Sequence, residues 1–245
     1  MELGIIGGTG LTSLANLQIV HREVVHTPFG EPSAPLVFGK LAGKDVVFLA
    51  RHGSGHTIPP HRINYRANIW AIKNTGAAKV VGVAAVGGIA PNMKPGMVSI
   101  PDQLIDYTWG RPHTFFEENL NHVTHVDFTY PYSSALRQKL IAACRQGKVD
   151  VVEGGTYGAM QGPRLETAAE INRIDRDGCT MVGMTGMPEA ALAREMEMEY
   201  ATCAVVANWA AGRAPGEISM EEIEKTLRSG MAQVRTVLEQ FVPML

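Results

Sequence analysis

Positive charge is sparse in this 245-residue chain: 22 Lys and Arg stand against 24 Asp and Glu, for a net charge of −2. No Lys/Arg run or basic stripe occurs, which argues against a nucleic-acid partner. Cysteine is scarce too. The three present, Cys144, Cys179 and Cys203, lie far apart and form no C-x-x-C pair. That odd count fits reduced thiols in the cytoplasm, buried as small hydrophobes, better than a disulfide framework or a zinc site. No apolar run is long enough to span a bilayer, and the N-terminus has no basic region before an apolar one. Neither a membrane span nor a signal peptide is expected. Low-complexity tracts, repeats and linkers are missing as well, so residues 1–245 read as a single domain with a large core.

Two nucleotide-binding patterns fail at the start of the chain. Leu3–Ile6 is an apolar strand candidate that runs into Gly7-Gly8-Thr9-Gly10. Residues Gly8–Ser13 lack the third glycine of G-x-G-x-x-G, and no Gly-Lys-Ser/Thr follows. A dinucleotide oxidoreductase is therefore disfavoured. What is left is a glycine loop with a hydroxyl inside it, whose backbone N–H groups can converge on a small anion.

Short apolar runs alternate with helical patterns through the rest of the chain. Strands are expected at Leu3–Ile6, Leu36–Leu41, Asp45–Ala50, Lys79–Ala85, Met97–Ile100, Thr180–Met184 and Cys203–Ala207. Helices are expected at Ile63–Thr75, Ser134–Gln146 and Pro188–Glu199, and from about Ser219. Ser219 and Glu222 suggest a capping box for the last helix, whose apolar face would be Ile223, Leu227, Met231, Val234, Leu238 and Phe241. The alternation predicts an α/β fold with a mixed, partly barrel-like sheet flanked by helices. Asp102–Pro131 is irregular and rich in His, Pro and aromatics, as binding loops and interfaces are.

Several strand ends carry chemistry. Arg51-His52 follows a buried run and offers fixed donors suited to an oxyanion, although a plain surface loop is the alternative. His52, His56 and His61 have no carboxylate or cysteine at ligand spacing, which argues against a metal. Ala84-Ala85 precedes Gly87-Gly88, where small side chains let backbone amides approach a ligand or simply make a turn. Glu166 follows a Gly-Pro turn; it is either a helix-dipole partner or an acceptor for a ring N–H. Thr185 could donate to an anion at a helix start. Asn208 is either a turn-former or an amide that donates and accepts at once.

In this order the motifs resemble the trimeric purine nucleoside phosphorylase and methylthioadenosine phosphorylase family. The residues that carry the likeness are 4–10, Ala50–Gly53, Asn64–Ala71, Pro101–Asp106, Gly162–Arg164, Met184-Thr185 and Pro188-Glu189, spread from Leu3 to about Leu238. The resemblance implies attack of inorganic phosphate on C1′ of a purine nucleoside, with phosphate as co-substrate and no cofactor. It implies a phosphate site of Thr9, Arg51, His52, Ala84, Ala85 and Thr185, with Met184 against the ribose and Ala210 beside the base. It also implies a homotrimer in which His125 reaches into a neighbouring subunit's site.

Three positions separate the subfamilies. Asn208 and Glu166 resemble the residues of 6-oxopurine enzymes: the first addresses N7 and O6, and the second accepts N1–H, which adenine lacks. Met220 stands where inosine and guanosine phosphorylases place a histidine for the 5′-hydroxyl. It is either a thioether wall for a 5′-methylthio group or the first core residue of the last helix. The combination implies phosphorolysis of S-methyl-5′-thioinosine, with S-methyl-5′-thioadenosine and inosine or guanosine as alternative substrates. A non-catalytic phosphate binder would not need the whole set Arg51, His52, Thr185 and Asn208.

Overall fold

Consecutive apolar residues can be buried in an extended segment only if both faces of the sheet are covered, and that is the arrangement here. The structure is a computed structural model and describes residues 1–11, 13–118 and 120–245. Thr12, in the run that fails the dinucleotide pattern, and Asn119, in the irregular segment, lie outside the described residues. The strands are β1 (Leu3–Gly7), β2 (Gln18–Glu23), β3 (Leu36–Leu41), β4 (Lys44–Ala50), β5 (Lys79–Gly88), β6 (Val98–Ile100), β7 (Gln103–Asp106), β8 (Val151–Glu153), β9 (Thr156–Ala159), β10 (Met181–Gly183) and β11 (Glu199–Trp209). The helices are α1 (Tyr65–Asn74), α2 (Ser134–Gln146), α3 (Ala168–Arg176), α4 (Gly186–Glu195) and α5 (Met220–Phe241).

All the strands join one mixed sheet that branches at β5. On one edge, β11 runs parallel to β5 from Glu199 opposite Lys79 to Trp209 opposite Gly88. The other edge is shared. β1 pairs in parallel as far as Gly82, and β10 pairs antiparallel from Gly87 onward. Between these two partners the sheet opens beside Val83–Val86. The strands beyond the fork curl round into the expected barrel-like half. Its corner is tied by Gly154 N–H donating to the Ile100 carbonyl (2.9 Å) and Asp102 N–H to the Gly155 carbonyl (3.1 Å). Only glycine suits this corner: Gly155 has φ +106°, and a Cβ there would lie 2.4 Å from Thr180 Oγ1.

One face of the sheet packs on α2 and α5, the other on α1 and α4. The expected apolar face of α5 is buried from Ile223 to Phe241. Its cap is Ser219, whose hydroxyl accepts the Glu222 N–H at 3.3 Å. Helix α4 ends at Glu195, short of the expected Glu199, because Glu197 turns into positive φ and β11 already begins at Glu199. Strands β2, β7, β8 and β9 and helix α3 were not expected. β2 is exposed at all six positions, and α3 buries only Ile171 and Ile174, so neither carries a long apolar pattern. β7 occupies the first part of the irregular segment.

Candidate active site

The fork in the sheet is where the glycine loop acts. β1 ends at Gly7, and a Cβ on Gly8 would lie 2.4 Å from the Val83 carbonyl oxygen and 2.9 Å from Arg51 Nη1. Glycine there lets β5 and Arg51 close against the loop, with Thr9 at the opening. β4 delivers Arg51 beside it, Arg51 N–H donating to the Gly7 carbonyl at 2.9 Å.

Arg51 is only 1 % exposed, so it is no surface-loop cation. Its Nε and Nη2 donate to the two carboxylate oxygens of Glu189 at 2.6 and 2.7 Å, and Nη1 donates to the Val83 carbonyl at 2.7 Å. Burial alone would weaken its hold on a proton; the Glu189 carboxylate more than offsets this and raises the pKa. Glu189 is fully buried and also accepts the Tyr200 hydroxyl at 2.7 Å. Sequence reasoning counted Glu189 in a motif and missed this ion pair. No local signal links residues 51 and 189.

His52 is also buried, with Nδ1 2.8 Å from the Ile58 carbonyl oxygen. A carbonyl can only accept, so Nδ1 carries the proton and Nε2 is left with a lone pair. Burial, with Arg51 beside it, pushes the pKa down to about 4, so the ring is neutral near pH 7. His56 Nε2 lies 3.1 Å from Thr9 Oγ1. Thr185 is the residue before α4; its N–H donates to the Tyr157 hydroxyl at 3.4 Å and its own hydroxyl makes no cap bond.

The far end of the site is built by α3 and β11. Thr167 caps α3 with a full capping box, and Glu166 precedes it. Arg164 is engaged by Glu170 through two 2.8 Å bonds, so its pull on Glu166 is only a minor opposing charge effect. Burial raises the Glu166 pKa, and Glu170 adds to the rise. A helix-dipole partner would move the other way, so burial decides this carboxyl's character. On β11 the pairing register slips between Val206 and Asn208, placing Asn208 opposite Gly87. Such a bulge turns the next side chain to a new direction, here into the cavity. The Asn208 amide nitrogen donates to the Trp209 carbonyl at 2.7 Å, which leaves its carbonyl oxygen to accept.

These parts surround one cavity of about 170 Å³. Thr9, Arg51, His52, Ala84, Ala85 and Thr185 line one end; Glu166, Met184, Asn208, Ala210 and Met220 line the rest. His125 is exposed and is not among the lining residues. Met220 is 62 % exposed, so it is a wall residue and not the first core residue of α5, a place taken by Ile223. Ile218, Ile223 and Leu227 extend that apolar wall and were not foreseen as site residues. Glu166, Asn208 and Ala210 also line an adjoining cavity of about 760 Å³ formed with the loop before α5. Together the two spaces reach the size usual for a small-molecule site, apolar in most of its lining with a few convergent polar groups.

A family model described as the phosphorylase superfamily matches residues 2–243. A protein from Pseudomonas syringae pv. tomato, named probable S-methyl-5′-thioinosine phosphorylase, is 55% identical over 96% of this chain and 95% of its own. The 6-oxopurine nucleoside phosphorylase of Pyrococcus furiosus is 42% identical over 100% of this chain and 93% of its own. Among solved structures, methylthioadenosine phosphorylase from Schistosoma mansoni in complex with adenine superimposes with a TM-score of 0.95 at 32% identity, covering 100% of this chain and 91% of that one.

Proposed function

The chain belongs to the phosphorylase superfamily, and from that premise we propose that it catalyses phosphorolysis of S-methyl-5′-thioinosine. The products are hypoxanthine and 5-methylthioribose 1-phosphate, and the enzyme is a pentosyltransferase. The carrying observation is a single cavity with anion-binding groups at one end, Glu166 and Asn208 at the other, and an apolar wall at Met220 between flanking aliphatics. The match to residues 2–243 supports one nucleoside phosphorylase domain over 1–245.

In this proposal phosphate is held by Thr9, Arg51, His52, Thr185 and the backbone at Ala84 and Ala85, and no cofactor is used. The ribose lies against Met184. Glu166 as carboxylate accepts N1–H of the 6-oxopurine, while Asn208 assists protonation of the departing base at N7, the proton coming from solvent and its carbonyl oxygen accepting a hydrogen bond from the new N7–H. As the C1′–N9 bond stretches, positive charge grows on the ribosyl centre and negative charge on the purine. Phosphate stabilises the first and then captures C1′; Asn208 stabilises the second at N7, while Glu166 anchors the base at N1. The 5′-methylthio group rests on Met220, Ile218, Ile223 and Leu227, where a hydroxyl would find no strong partner.

The rival substrate, S-methyl-5′-thioadenosine, is suggested by the name of the solved relative. An adenine base has no N1–H for an ionised Glu166, and leaving that partly buried carboxylate unpaired under a bound base costs about 1–3 kcal/mol. The test is purine release by the purified protein with phosphate and, separately, methylthioinosine, methylthioadenosine and inosine. We expect kcat/KM for methylthioinosine to exceed the other two by at least about tenfold, the discrimination expected when a buried polar group or a methylthio contact is lost. Equal cleavage of methylthioadenosine refutes the base assignment.

The assembly in this proposal is a homotrimer located in the cytoplasm. Support comes from Trp109, Val123 and Tyr130, which expose about 70 % of their surface in the same segment as His125 (72%, 70% and 71%). His125 would then complete a neighbour's site. The three free cysteines are all buried, and among the described residues no helix is long and apolar enough to cross a membrane.

A further inference from the structure

The buried ion pair behind the anion end is unexplained by phosphate binding alone. An arginine recruited only to attract phosphate would be left uncompensated, yet both terminal oxygens of Glu189 are committed to Arg51. Stability does not explain the pair either, because a fully buried ion pair roughly breaks even against apolar packing once its desolvation is counted. We infer that Glu189 is a positioning residue that fixes Arg51 and cancels its charge, so that bound phosphate keeps its own negative charge until the ribosyl cation forms. The inference rests on the phosphorolysis proposal and deepens it.

The charge inventory around the anion end supports this. Arg51 is the only cation lining the cavity among the described residues, and Glu189 neutralises it. His52 is neutral and offers a lone pair. Tyr200, the second group on Glu189, is a neutral hydroxyl whose pKa burial raises further. The neighbouring buried cation, Arg111, lies outside the lining and spends its donors on the carbonyls of Met184, Met187, Met160 and Gln161. The remaining donors at the anion end, Thr9, Thr185 and the β5 backbone, are dipoles. They can hold a phosphate by hydrogen bonds without cancelling its charge. In a site screened from water, that charge acts strongly on a cation forming a few ångströms away. Binding energy withheld from the ground state and released in the transition state raises kcat; binding spent on phosphate itself would only lower KM.

Two variants should move phosphate binding in opposite directions, which general damage would not do. Glu189→Gln leaves Arg51 uncompensated and should tighten the calorimetric Kd for inorganic phosphate by about fivefold, while lowering kcat by about tenfold or more. Tyr200→Phe removes the hydroxyl from Glu189, concentrates its charge on Arg51, and should weaken phosphate binding by about twofold to threefold. The idea is overturned if both variants shift the phosphate Kd the same way, or if Glu189→Gln leaves kcat within about twofold of the unmodified protein. Should Glu189→Gln fail to fold, an unchanged phosphate Kd in Tyr200→Phe overturns it alone. Phosphate calorimetry needs no nucleoside, so these outcomes are separate from the substrate assay. A protein that shows the opposed Kd shifts but cleaves no nucleoside refutes the phosphorolysis proposal instead.

Discussion

His52 is neutral at pH 7 because burial, and then Arg51, oppose its protonation. The sequence places a histidine beside an arginine and cannot say that one ring nitrogen is tied to the Ile58 carbonyl. A consequence for stability follows from proton linkage. The folded pKa of about 4 lies below the ordinary 6.5, so between these values the unfolded chain binds a proton that the folded chain refuses. Stability is therefore complete above about pH 6.5 and is lost as pH falls toward 4, by about 2–3 kcal/mol from this group. Urea unfolding at pH 7.5 and pH 4.5 should show that loss in the unmodified protein and a clearly smaller one in His52→Gln. An identical loss in the variant refutes the assignment. Glu166 and Asn208 show a similar division: their residue types pointed to a purine edge, while the direction of the Glu166 shift depends on burial by surrounding chain.

At the scale of elements, α3 sets the base end of the site. It was not legible in the sequence, since its nine residues bury only two apolar side chains. The turn before it is clamped twice. Thr167 and Glu170 exchange bonds at 3.1 and 2.7 Å, and Glu170 also holds Arg164. Glu166 lies inside that clamp. Thr167→Ala removes one cap acceptor and should cost about 1 kcal/mol of stability. It should also raise KM for the nucleoside by several-fold with kcat changed less, because in the proposed mechanism the loosened Glu166 holds the base and does not meet C1′. Chemical denaturation and steady-state kinetics check both parts; an unchanged KM would mean that the cap does not position Glu166. β11 teaches the same lesson. Its apolar run is plain from Cys203 to Ala207, but the bulge that aims Asn208 exists only as a slip against β5.

At the scale of the molecule, the exposed Trp109, Val123, Tyr130 and Val126 are too many apolar side chains for one irregular segment facing water alone. If this face forms the proposed trimer, light scattering should give about three times the 26.5 kDa chain mass. Val123→Glu with Tyr130→Glu should dissociate it and lower kcat/KM, since His125 could no longer reach a neighbour. A monomeric, fully active unmodified protein would end that proposal.

The sequence alone determined the α/β class, most of the buried strands, α2 from end to end, and the residue types at each strand end. Those follow from local pattern: apolar runs, glycines and caps act within a few residues. Tertiary structure decided the fork beside Val83–Val86, the pairing of Arg51 with Glu189 across 138 residues, and the bulge that turns Asn208. It also made Met220 a wall residue and left His125 on the surface. The physical reason is one of range. Secondary structure answers to neighbours along the chain, whereas charge compensation, burial and strand register are set by partners that only the folded chain brings together.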